Sequence, residues 1–221
     1  VITTIPYLIG FASQGSAWHF TGFILGVEDG NSYIAKMLSG SAGEWLFRTP
    51  YTAYPQSGVL AFLPYILLGK LASPAGRHEQ LVALFHLFRW IAIIIYAFAA
   101  YDFISIFIRE IRLRRTAIIL IFFGGGLGFL AALGMKWSGF GGLPLEFYSP
   151  ESFGFLAVFG LPHIAAGRAF LLWGLGRILK YKTSHSLWRE VMLIAACWTL
   201  LGLMQPLTVV VAWVIIVAGM A

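Results

Sequence analysis

From Leu81 to Ile108 the chain runs through an apolar stretch that includes only Arg89 and Asp102 as formally charged residues. A bilayer crossing takes about 20 apolar residues, so this stretch is long enough to be one. Similar runs lie at 1–13, 57–73, 116–135, 162–179 and 190–221, separated by more polar connections. Hydrophobic residues make up 59% of the 221 and charged residues 11%, and the mean hydropathy is +0.83. That composition excludes an ordinary soluble domain. In lipid the backbone must satisfy its own hydrogen bonds, and runs of this length do so as helices. The expectation is all-α: one polytopic transmembrane helical bundle over 1–221.

Two runs are irregular. The 57–73 run carries Pro64 at its centre, which removes a backbone donor and allows either a kinked crossing or a re-entrant turn. The last run is interrupted at Gln205-Pro206 and reads as a kinked helix or as two segments meeting at a turn. The 1–13 run is too short to cross, and the chain opens at Val1 without an initiator Met or a charged leader, so it reads as a fragment whose first helix has lost its start; the alternative is one span across 1–27, with Gln14, Ser16 and His19 mid-membrane. Gly124-Gly125-Gly126-Leu127-Gly128 has no Lys-Ser/Thr after it; it is no phosphate loop and suits close helix packing. Cys197 is the only cysteine, which excludes an internal disulfide.

The formal charge of +6 comes from short loops, notably Arg109, Arg112, Arg114 and Arg115, then Arg177, Lys180, Lys182 and Arg189. Basic residues placed this way set orientation and meet lipid headgroups, and no nucleic-acid partner is expected. With six crossings the loop at 14–55 shares the side of these clusters, the cytoplasmic side. If the Pro64 run does not cross, the loop faces the other way.

The 14–55 loop holds the densest chemistry. Glu28 and Asp29 stand between Gly26 and Gly30, an acidic pair that is costly at a membrane edge without a use. From there Asp29, Ser32, Tyr33 and Lys36 share one helical face, while Ile34, Met37 and Leu38 share the other. This predicts a juxtamembrane amphipathic helix with Asp29 near its N-terminus, where the helix dipole favours a carboxylate. A plain helix cap with a snorkelling Lys36 fits the same pattern. A functional reading takes the carboxylate as a base or metal ligand. Glu44 to Thr52 follows as an aromatic, interfacial return to the membrane.

His86 and Arg89 lie three apart on one face and can meet a lipid phosphate together or bond a neighbouring helix. Arg168, in Leu161-Pro162-His163-Ile164-Ala165-Ala166-Gly167-Arg168, can bind a phosphate or snorkel. Glu146 and Glu151 flank Phe147-Tyr148-Ser149-Pro150 and read best as a solvated loop.

The order of these features resembles the GT-C superfamily of membrane glycosyltransferases. It comprises a first apolar run, an acidic pair opening the first loop, an amphipathic helix, and Tyr54-Pro55 before the next run. Glu28-Asp29-Gly30-Asn31-Ser32-Tyr33-Ile34-Ala35-Lys36-Met37 is similar to uncharacterised bacterial multi-pass members, as are Leu143-Pro144-Leu145-Glu146-Phe147 and Pro150-Glu151-Ser152. The resemblance covers about residues 1–215, the N-terminal half of a typical member. It implies a bacterial inner-membrane enzyme that moves a sugar from a polyprenyl phosphate to an acceptor. Asp29 would be the catalytic base or a ligand to a divalent metal ion, with Glu28 beside it. Arg89, His86, Lys36 and Arg168 would be candidates for the donor phosphate. Asp102 stands where the resemblance leads one to expect a basic residue.

The rival expectation is a non-catalytic subunit of a larger membrane assembly, with His86 and His163 as axial ligands to haem or chlorophyll. A GT-C-like piece that survives as a structural or lipid-binding partner lies between the two.

Overall fold

The computed structural model describes residues 2–49, 51–125, 144–180 and 187–220. Among these the secondary structure is helical throughout, with one isolated antiparallel bridge between Phe47 and Val59. A 3-10 turn at Ile2–Thr4 leads into α1 (Ile5–Ser13), followed by α2 (Val27–Ser41), α3 (Leu63–Gly69), α4 (Arg77–Phe107) and α5 (Ile111–Phe123). A second 3-10 turn, Leu145–Phe147, precedes α6 (Gly154–Gly160), α7 (Pro162–Lys180), α8 (Leu187–Met204) and α9 (Pro206–Met220). Two compact units form, Val1–Trp90 and Ile91–Ala221, and α4 belongs partly to each.

In the first unit, α2 and α3 approach backbone to backbone. A Cβ on Gly40 would strike the carbonyl of Ile66, and one on Gly69 would strike the carbonyl of Met37. Such reciprocal small-residue contacts let two helices pack without side chains between them. Beside this seam lies an aromatic core. Tyr33 stacks on Tyr65 with centroids 4.5 Å apart, and Phe23 meets Phe85 edge-on at 5.1 Å. Met37, Tyr65, Ile66 and Phe85 are fully buried.

The second unit is built around α7. Its Ala165, Ala166, Ala169 and Gly174 are buried, and the Gly174 position lies in contact range of Cys197 on α8. Two ion pairs bind its C-terminal end: Arg177 to Glu190 at 3.1 Å and Lys180 to Asp102 at 2.9 Å. The acid at 102 is thereby accounted for by a lysine of α7. Tyr96 and Phe122 pack α4 on α5 with ring centroids 4.8 Å apart.

Among the described residues, α4 and α8 are the two helices long and apolar enough to cross a membrane. The 57–73 run does not become a crossing helix. It yields only the seven residues of α3, about 10 Å of rise against a hydrocarbon core of about 30 Å. Phe62 caps α3 in a left-handed conformation at φ 52°, Pro64 starts it, and Gly69 ends it against α2. The run at 116–135 is helical to Phe123 and ends at Gly124; residues 126–135 lie outside the described residues. The last run resolves into two helices, because Pro206 has no N–H to continue α8 and begins α9 instead.

Candidate active site

The amphipathic helix exists as α2, and it differs from its predicted faces at two positions. Ile34 and Met37 are buried as expected, but Leu38 is exposed and Lys36 is only 8% exposed. Docking on α3 explains the change: the seam runs along Met37 and Gly40, turning Leu38 outward. The helix starts at Gly26, whose φ of 58° is left-handed and suits a residue without a Cβ. Glu28 and Asp29 fall in the first turn, where free N–H groups and the dipole stabilise negative charge. Both acids are exposed, and neither forms a hydrogen bond or ion pair within the described residues.

Two turns on, Lys36 sits in a cage. Its ammonium lies 4.4 Å from the centroid of the Phe62 ring, 4.8 Å from that of Tyr33 and 5.7 Å from that of Phe47. It donates to the Ser32 hydroxyl at 2.6 Å and to the Ser32 carbonyl at 3.3 Å. Burial pulls Lys36 below the ordinary lysine range, and the Asp29 carboxylate acts in the opposite sense. Thus the structure brings Asp29 and Lys36 onto one stripe of α2 within electrostatic reach.

His86 and Arg89 also come together, on α4. Arg89 Nε donates to His86 Nδ1 at 3.2 Å, so the imidazole proton sits on Nε2, which donates to the Gly22 carbonyl at 2.9 Å. Arg89 is fully buried. Its guanidinium donates to the Thr3 carbonyl and the Thr4 hydroxyl, each at 3.2 Å, and lies 4.5 Å from the centroid of Tyr7. Both nitrogens of His86 are therefore engaged, and the pair staples α4 to the N-terminal turn and to the segment before α2. Next to it opens a cavity of about 680 Å³ with mainly apolar walls, including Phe11, Phe20 and Trp90, and with His19, His78 and Glu79 among its polar residues.

Arg168 belongs to the second unit, where it donates to the carbonyls of Pro150 and Glu151 at 2.8 and 2.7 Å. It thus secures the turn before α6. Glu151 is exposed, as predicted for a solvated loop. Among the described residues no three His, Cys, Asp or Glu side chains stand together as a metal site. Glu28 and Asp29 alone are a short ligand set, so no chemical step is assigned to a metal here.

Periodicity indicated α2 and the Asp29 to Lys36 stripe, but the cage and the cavity were not visible in it. Phe47 and Phe62 reach Lys36 only because the Phe47–Val59 bridge folds the segment after α2 back on itself, with hydrogen bonds of 2.9 and 3.0 Å. The aromatic density of 44–62 was the one available signal. No protein family, curated protein or solved structure matches the chain.

Proposed function

We propose that the chain is the acid-bearing part of a GT-C-like membrane glycosyltransferase, multi-pass in a bacterial inner membrane, that uses a polyprenyl-phosphate sugar as donor. The observation that carries this reading is the position of Asp29. It is an exposed carboxylate, without a hydrogen bond or ion pair among the described residues, at the first turn of a helix fixed by backbone packing. In the reaction, an acceptor hydroxyl or amine attacks the anomeric carbon while the bond from that carbon to the phosphate oxygen breaks. Asp29 takes the acceptor's proton, and the polyprenyl phosphate leaves with the bonding electron pair. Glu28 adds negative potential at the same turn. The large cavity next to Arg89 and His86 is the donor's place in this reading. The N–H groups of Arg89 are used on Thr3 and Thr4, so it acts on the phosphate through its field.

The orientation of α4 supports this reading. If α4 crosses, its N-terminal end at Arg77 and the cluster Arg109 to Arg115 lie on opposite sides. The positive-inside rule puts that cluster in the cytoplasm. Because α3 is too short to cross, α2 then faces outward, where a polyprenyl-linked donor is consumed in the family that the sequence resembles. The test is reconstitution of the chain in liposomes with a panel of polyprenyl-phosphate hexoses and bacterial membrane extract as acceptor. Release of sugar from at least one donor, with free polyprenyl phosphate appearing in equal amount, is expected. Inert donors across the panel would contradict the proposal.

A further inference from the structure

Among the described residues from Gly43 to Phe62 there is no helix, yet this segment is tied down at two places by lysines from the helices on either side. Lys36 of α2 lies over the rings of Phe47 and Phe62. Lys70, just after α3, lies 4.1 Å from the centroid of Trp45 and donates to the Gly43 carbonyl at 3.2 Å. We propose that Lys36 and Lys70 form a two-point cation–π clasp that holds the 43–62 strap as a wall beside the Asp29 face of α2, with Lys36 as the positioning residue.

Four observations carry this. Asp29, Ser32, Lys36 and Ser39 lie along one stripe of α2, since residues three and four apart stack on a helix face. The strap covers the middle of that stripe: a space just large enough for one water is lined by Ser32, Lys36, Ser39, Phe47 and Tyr51, while Asp29 stays open at the N-terminal end. Lys36 is buried, and its ammonium is held between the Ser32 hydroxyl and the two strap rings, Phe47 and Phe62. Phe62 makes its contact from a left-handed backbone, which a bulky residue adopts only when its surroundings impose it. Closing the strap and burying the charge are therefore one event. A cation over a desolvated ring face is stabilised, whereas a methionine at the same place gains only packing.

The clasp itself does not depend on the chemistry at Asp29, but its meaning as a positioning device rests on the glycosyl-transfer reading. The test is a double-mutant cycle on the full chain in liposomes, read by amide hydrogen exchange at Phe47 and Val59. Phe62→Leu keeps an apolar side chain and removes the ring face. In the Lys36 background it should raise exchange at these amides about thirtyfold, the effect of losing one desolvated cation–π contact. In the Lys36→Met background it should change exchange little. Exchange at Ile66 and Leu81, in the helices, should stay constant in all four proteins. An equal effect of Phe62→Leu in both backgrounds would overturn the clasp. If a variant unfolds, with Ile66 and Leu81 exchanging as well, Phe47→Leu completes the cycle in its place and the same criterion applies. In the transfer assay, Lys36→Met should lower kcat about tenfold at constant donor KM, and Lys36→Arg should restore it. Unchanged kcat in Lys36→Met would overturn the positioning role. A wild-type chain that transfers no sugar refutes the glycosyl-transfer reading and leaves the exchange cycle to decide the clasp.

Discussion

At the scale of single residues, the buried Arg89 and Lys36 each donate hydrogen bonds within the first unit. His86 accepts from Arg89 on one nitrogen and donates to Gly22 from the other, so His86→Ala leaves a buried donor and a buried acceptor unmatched. The expected loss is about 1–3 kcal/mol in an unfolding titration, and His86→Gln, which can both accept and donate, should recover part of it. Lys36 has the opposite character. Burial makes it give up its proton below 10.5, the value it takes in the unfolded chain. Between those two points the unfolded chain binds the additional proton, so the stability linked to Lys36 rises as pH climbs toward 10.5. Melts of the wild type and Lys36→Met across that range should show the rise in the wild type alone. Spacing was enough to pair His86 with Arg89 and to line Asp29 up with Lys36. It could not show that Lys36 is buried, because two of the three rings around it come from the strap.

At the scale of elements, patterns local in sequence were legible and those set by neighbours were not. Apolar length sufficed for α4, and Pro206 sufficed for the break between α8 and α9. The 57–73 run had composition enough for a crossing, but the backbone contact of Gly69 with Met37 and the left-handed Phe62 limit α3 to two turns. Leu38 was misread for a related reason: the glycine seam, rather than the widest apolar arc of α2, decides which side meets α3. That seam has a direct consequence for mutagenesis. Gly40→Ala and Gly69→Ala each drive a methyl group into the opposing backbone and should each destabilise the first unit by about 1–3 kcal/mol. The two effects should be less than additive, since either one already separates α2 from α3. Gly125→Ala, where a Cβ meets nothing within 4 Å, is the control and should be near neutral.

At the scale of the whole molecule, the account depends on which side of the membrane bears the acidic pair. With a shared cytoplasmic face, Glu28 and Asp29 would sit among the basic loops; without a crossing at 57–73 they face away from them. In a Cys197→Ser background, Asn31→Cys on α2 should react with an impermeant maleimide added outside intact cells. Arg112→Cys on α5 should react only after permeabilisation. Labelling of both positions from the same side would contradict the proposed topology, and the reverse pattern would invert it. Composition leads to the expectation of a membrane protein, and among the described residues α4 and α8 are long and apolar enough to cross one. For the proposed chemistry, the sequence offers one acidic pair and a family resemblance. The most direct test of that chemistry is the transfer rate of Asp29→Asn in liposomes, from a donor that the wild type turns over. Loss of transfer with unchanged exchange protection at Ile66 and Leu81 is the predicted result; transfer at the wild-type rate would contradict the role assigned to Asp29 and the function built on it.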